Sequence, residues 1–334
     1  MSETKRSPLG LIISLVFLVL VIGLGYFAWT QKQFIIDQIS VWTFEPSSSV
    51  SAIDEKLALS DKGTFYFYTT HPEVNTAEQF NANCPQQEKN SPILGCYSKQ
   101  RIFIYDVQDA RLDGIKEVTA AHEMLHAAWE RTSPNEKARL SKLLENAASS
   151  VSNQAFQDRM AYYSRTEPGE LDNELHSIIG TEVTTLDPEL EDYYAQFFTD
   201  RAKVVGYYNK YNQIFVDLTN QSGALYQELT RLGDTISSDS NQYDSDIETL
   251  SDDIDSFNNR AQNDGFSSAA QFNRERAALM ARSAALDAKR ASINENVGIY
   301  NQKYNEYQTI AAQIQNLNSS VNSMADVSDT PSLN

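Results

Sequence analysis

His122 and His126 stand four residues apart, with Glu123 directly after the first. On a helix of about 3.6 residues per turn, positions i and i+4 share one face. Two imidazoles so placed can hold one metal ion, and the neighbouring carboxylate can reach a water on that ion. The chemistry would be metal-assisted hydrolysis with Glu123 as general base. The alternative is an ordinary helix that happens to carry two histidines. Scarcity speaks against it: the 334 residues include only four histidines, and two of them fall at this spacing. All four (His71, His122, His126 and His176) lie between positions 71 and 176, so chemistry is expected there and not in the last third of the chain.

Two histidines do not complete a catalytic zinc site, which commonly has three protein ligands and one position left for water. A third histidine close behind the motif is absent, because Trp129 and Thr132 occupy the places where a glycine and that histidine would stand. The next donors lie in Asn173-Glu174-Leu175-His176-Ser177. With this second segment the chain resembles the gluzincins, the thermolysin-like superfamily of zinc peptidases, whose later helix often reads N-E-x-x-S-D. Asn173, Glu174 and Ser177 match, while Ile178 stands in place of the Asp that orients the first histidine, so another group must do so here.

The resemblance covers roughly 51–200. It implies a zincin-like domain holding Zn2+ through His122, His126 and Glu174, with Glu123 as the base and a peptide or protein as substrate. It also implies a substrate strand added to the edge of a sheet above the motif helix, and 101–107 would be that strand. Glu182, eight residues after Glu174, and His176 remain alternative third ligands. His176 is also a candidate donor to the developing oxyanion, together with Tyr162, Tyr163, Tyr193 and Tyr194.

The elements that must position these residues are legible in part. Ile115, Val118, His122, Leu125 and Trp129 form one face of a helix that begins at Asp113-Gly114. Ser133-Pro134-Asn135-Glu136 combines a capping box with proline at the first helical position and opens a helix to about 148. Asp187-Pro188 opens another. A helix is expected over 51–60, with Gly63 near its stop. Strands are expected at 64–70, where Thr-Phe-Tyr-Phe-Tyr-Thr-Thr is aromatic and β-branched, and at 101–107. A polar loop with Cys84 and Cys96 lies between them, and an outward-facing domain would bridge the two. The fold class is therefore α+β, mostly helical with a small β-sheet.

Residues 9–29 carry no charge, and about 20 apolar residues span a bilayer core. Lys5 and Arg6 precede them, which places a short tail (1–8) in the cytoplasm and the rest outside the cell membrane. Residues 30–50 read as a juxtamembrane segment and linker, with Trp42 suited to the membrane interface. From 201 to 322 a heptad pattern runs along two arms joined by Asn263-Asp264-Gly265. Phe257 faces Phe272, Leu250 faces Leu279, Ile236 faces Ile293 and Asp239 faces Arg290, the mirrored register of an antiparallel coiled-coil hairpin. At about 1.5 Å per residue it would be on the order of 80–90 Å long. The polar stretch 323–334 reads as a disordered tail.

A net charge of −18 argues against a nucleic-acid partner, which wants a basic surface. The sequence thus points to a single-pass, outward-facing zinc metallopeptidase whose coiled coil could recruit a protein partner. Two other readings stand beside it: a zinc hydrolase acting on cell-wall peptide cross-links, and a surface interaction protein with a vestigial zincin domain.

Overall fold

The computed structural model describes residues 8–84, 93–166 and 169–324. Its internal contacts divide the chain into two units, 1–213 together with 318–334, and 214–317.

The first unit opens with α1 (Pro8–Thr30), which from Ile12 to Thr30 is long and apolar enough to cross a membrane. Backbone bonds from Gln31 N to Phe27 O and from Ile35 N to Gln31 O carry the helical path into α2 (Lys32–Thr43). Next comes α3 (Ser48–Leu57), capped by the Ser47 hydroxyl, and it drives Val50, Ile53 and Leu57 into the core. The compact unit therefore takes in α2, the start of α3 and residues 201–213, and reaches beyond 51–200 at both ends.

Residues 64–70, expected as a strand, lie instead almost wholly in helix α4 (Asp61–Thr69). Ser60 caps it by accepting from Gly63 N, so Gly63 sits in the first turn and does not mark a stop. A Cβ at Gly63 would lie 2.1 Å from Phe197 O, so the helix can dock only with glycine there. Phe67 is fully buried and the Tyr68 hydroxyl donates to Asp54, contacts that override the strand preference of the aromatic run.

The sheet has three strands in the order β1–β3–β2, with β1 (Glu73–Asn75) parallel and β2 (Gly95–Ser98) antiparallel to the central β3 (Arg101–Tyr105). The expected polar loop thus contains β1, helix α5 (Ala77–Asn83) and β2, and Cys84 and Cys96 are bridged. A bridge closing 12 residues removes on the order of 3 kcal/mol of chain entropy from the unfolded state. The expected strand at 101–107 is present, but it has a neighbour on both sides and offers no free edge. Among the described residues the edge nearest the motif is β2.

The motif helix α6 (Ile115–Glu130) runs through the core, with Ala120, Ala121, Met124, Leu125 and Ala127 fully buried. Helix α9 (Leu171–Glu182) packs against it, and α7 (Pro134–Ser150), capped by Ser133, packs against α9. Gly180 does not end α9. A Cβ there would lie 2.6 Å from Leu125 Cδ1, so the glycine lets α9 close onto α6. Helix α8 (Gln154–Thr166) precedes α9, and α10 (Pro188–Tyr194), capped by Asp187, follows it.

The second unit comprises most of α11 (Arg201–Gln262) and α12 (Ala269–Ser320), an antiparallel helical hairpin. The ring centroids of Phe257 and Phe272 are 5.0 Å apart, and Arg282 meets Asp253 and Lys303 meets Glu228 across the pair. Arg290, expected opposite Asp239, pairs instead with Asp287 on its own helix at 3.2 Å. Of the expected tail, Ser323 is buried and exchanges two hydrogen bonds with Asn81; residues 325–334 lie outside the described residues.

Candidate metal centre

Helix α6 presents His122 and His126 on one face, and α9 lies against it with Glu174 opposite. His126 Nε2 is 3.1 Å from His122 Nε2 and 3.4 Å from Glu174 Oε1, and His122 Nε2 is 3.7 Å from Glu174 Oε2. One ligand atom from each residue lies within 4.8 Å of the others. Tetrahedral zinc with Zn–N bonds of about 2.0–2.1 Å places two nitrogens about 3.3 Å apart. Of the three third-ligand candidates, Glu174 is the one the fold brings to the histidines.

Hydrogen bonding fixes which nitrogen of His126 faces the cluster. Asn173 Nδ2 donates to Glu170 Oε2 at 3.1 Å, which leaves Asn173 Oδ1, 2.9 Å from His126 Nδ1, as an acceptor. Nδ1 therefore carries a proton, and in the neutral ring Nε2 turns a lone pair inward. Glu174 is 6% exposed, and among the described residues its Oε2 has no hydrogen-bond donor. With the unsatisfied buried carboxylate oxygen, these three side chains form a group able to hold a metal ion. Burial works against charge on both His122 and Glu174, yet the surrounding groups prevail: the imidazoles and Arg159 hold Glu174 below the usual range, and Glu174, Glu123 and Glu182 hold His122 above it.

His122, Glu123, His126 and Glu174 line a cavity of about 850 Å³. Gly95 and Tyr97 of β2 form part of its wall. Tyr105 N donates to Leu94 O, so the antiparallel alternation bonds Leu94, Cys96 and Ser98 to β3 and turns the N–H and C=O of Gly95 and Tyr97 to the free edge. Lys99 and Gln100, both at positive φ, make the two-residue turn into β3.

The other expected site residues are elsewhere. Glu182 is held by Arg159 through Nη1–Oε1 at 3.0 Å and a second, shorter bond, and stands behind the cluster. His176 is 0% exposed and does not reach the cavity: its Nε2 is 2.9 Å from the Tyr193 hydroxyl, and its ring packs on Trp129 and Tyr194. Burial pushes its pKa down to about 3. It is a core ring in this fold, not a donor at the cleft. Tyr193 and Tyr194 are buried with it, whereas Tyr163 lines the cavity. Burial, and secondarily Glu174, push the Tyr163 pKa well up, so its hydroxyl stays a donor at neutral pH.

No protein family, curated protein or solved structure matches the chain.

Three contributors were not singled out in the sequence. Asn173 was visible only as a motif match, yet it orients His126. Gly95 comes so close to the motif helix that a Cβ would lie 2.6 Å from Glu123 Oε1; glycine inside a strand is a recognised sign of close approach. Lys137, also in the cavity wall, gave no signal that a charged helix face would not give.

Proposed function

We propose that this protein is a membrane-anchored zinc peptidase of the gluzincin type, with its catalytic unit outside the cell. The observation that carries the reading is the convergence of His122, His126 and Glu174 in one cavity with Glu123. The match of Asn173 and Ser177 to the superfamily's second motif supports it, since both side chains approach His126 Nδ1, at 2.9 and 3.3 Å.

A zinc ion bound here supplies Lewis-acid polarisation of a carbonyl and a water activated near neutral pH. The chain's own residues do the rest. Glu123, 5% exposed, takes the proton of the attacking water and delivers it to the leaving nitrogen. The Tyr163 hydroxyl donates to the carbonyl oxygen as its charge grows. The outward N–H and C=O groups of Gly95 and Tyr97 pair with the substrate main chain, so β2 takes the role that the resemblance implies for 101–107.

The anchor is α1. Lys5 and Arg6 ahead of it and the Cys84–Cys96 bridge after it both favour an outward-facing unit. Trp42, 88% exposed on α2, suits a place near the membrane interface.

Zinc analysis and peptide-library cleavage test the reading, with Glu123→Gln beside the wild type. About one zinc per chain in both and cleavage by the wild type alone are expected. A protein that binds no zinc under non-chelating purification refutes it, as does equal cleavage by Glu123→Gln.

A further inference from the structure

We propose that Lys137 determines the specificity of this cleft by receiving a carboxylate of the substrate peptide. The inference rests on the peptidase reading and adds a substrate class to it: peptides that carry an acidic side chain or a free C-terminal carboxylate.

The Lys137 side chain is half-buried in the wall of the metal-site cavity. Its Nζ lies 5.2 Å from the centroid of the Trp129 ring. Trp129 is 7% exposed and follows His126 by three residues on α6, so it shares the face that bears the ligand. The His176 ring backs Trp129 at 5.1 Å from the other element, α9. Lys137 and His176 both pack on the Trp129 ring, and the cation–π contact places the ammonium in the wall of the cavity that the candidate ligands also line.

Among the described residues Lys137 has no ion pair and no side-chain hydrogen bond. Glu123, Glu130, Glu170, Asp172 and Glu174 line the same cavity, and none of them forms an ion pair with Lys137. Asp172 accepts from Ser141 Oγ at 2.5 Å, Glu170 accepts from Asn173, and Glu130 meets the Tyr97 hydroxyl and, at 3.9 Å, Arg131. Lys99 also lines the cavity, but on the exposed hairpin turn. An ammonium held on a ring face without an ion-pair partner is free to take a substrate carboxylate in a charge-assisted hydrogen bond. The net charge of −18 would repel an acidic peptide at long range, but salt screens exposed charges beyond about 8 Å, so the local contact decides.

The test uses the full chain in nanodiscs, loaded with zinc. Peptides differing at one position (Glu, Gln or Lys), each with a free or an amidated C-terminus, are cleaved by the wild type, Lys137→Met and Lys137→Glu. The same peptides are bound without turnover to Glu123→Gln and to Glu123→Gln/Lys137→Glu, and zinc content and melting temperature verify each fold. The wild type should prefer the carboxylate-bearing peptides by roughly tenfold, Lys137→Met should lose the preference, and Lys137→Glu should invert it toward Lys. A preference that follows the Glu side chain assigns a side-chain carboxylate, and one lost on amidation assigns the C-terminus; either supports the proposal. Absence of any carboxylate preference in binding overturns it, as does a preference that survives Lys137→Glu. Carboxylate-dependent binding through Lys137 with no cleavage of any peptide would refute the peptidase reading and leave the carboxylate receptor standing.

Discussion

Arg131, which closes the motif helix, grips Asp37 of α2 through two bonds, Nε to Oδ2 at 2.8 Å and Nη2 to Oδ1 at 2.7 Å, with both side chains 5% exposed. Arg131 Nη1 also donates to the carbonyl of Ala127, the residue directly after His126. Ser40 of α2 reaches across as well, donating to Thr69 O and lying 3.0 Å from His71 Nε2. The helix that follows the apolar segment is thereby part of the unit that holds the candidate metal centre, and does not act as a linker.

Breaking this clamp should unfold the unit more easily. Asp37→Ala leaves a buried guanidinium without its partner, a loss of about 3–5 kcal/mol. For a unit of this size the melting temperature should fall by roughly 10 °C. A chain begun at Ser47 should melt early in the same way, and one begun at Lys32 should not. Thermal melts of the three would show it, and an unchanged melt for Asp37→Ala would mean that α2 is not integral to the unit.

The ligand assignment makes separable claims. Glu174→Ala should abolish stoichiometric zinc, whereas Glu182→Ala should keep it, because the fold commits Glu182 to Arg159. Asn173→Ala removes the acceptor that orients His126 and should weaken zinc binding by roughly 10–100-fold. Competition with a chelator of known affinity measures all three. Zinc lost from Glu182→Ala but not from Glu174→Ala would exchange their roles.

Alkaline pH should destabilise the protein through Tyr68. Burial, then its bond to Asp54 at 2.9 Å, hold its pKa up to about 12, against about 10 in an unfolded chain. Between those values the unfolded state has released a proton that the folded state keeps, so stability is fully present below pH 10 and declines as pH rises through that window. Denaturant unfolding at pH 9 and 11 should show the drop, and Tyr68→Phe should make it shallower. An identical drop in the variant would place the effect on other tyrosines.

What was legible in the sequence was local. The His122, Glu123 and His126 spacing, the Ser133-Pro134 and Asp187-Pro188 starts and the heptad periodicity within α11 and within α12 each depend on residues a few positions apart, where helix geometry alone dictates the outcome. Residues 64–70 were misread because Phe67 and Tyr68 fit a strand as well as a helix face. What decides between them is Gly63 against Phe197, more than a hundred positions away. The two-residue spacing already sets His176 about 160° around α9 from Glu174; what the sequence does not announce is its burial against Trp129 and Tyr193, from other helices. Asp37 and Arg131 are separated by 94 positions, and nothing local in either announces the other.

Gly95 offers the sharpest test of how β2 and the motif helix are fitted together. A Cβ there would lie 2.6 Å from both Glu123 Oε1 and Thr119 Cγ2, and 2.8 Å from Glu123 Cγ. Thr119 is held on its helix by its own bond to Ile115 O, and β2 is anchored to α5 by the Cys84–Cys96 bridge and to β3 by its ladder, so neither side yields freely. The displacement should fall on the Glu123 side chain, which has rotatable bonds to spare. Gly95→Ala should therefore keep zinc, because His122, His126 and Glu174 are untouched, while moving the carboxylate of Glu123, the proposed general base, by about 1 Å. Misplacement of that size costs catalysis on the order of 100-fold. Zinc content and kcat/KM, read together on the same preparation, separate this outcome from general unfolding. Full activity in Gly95→Ala would show that β2 stands farther from Glu123 than this packing requires.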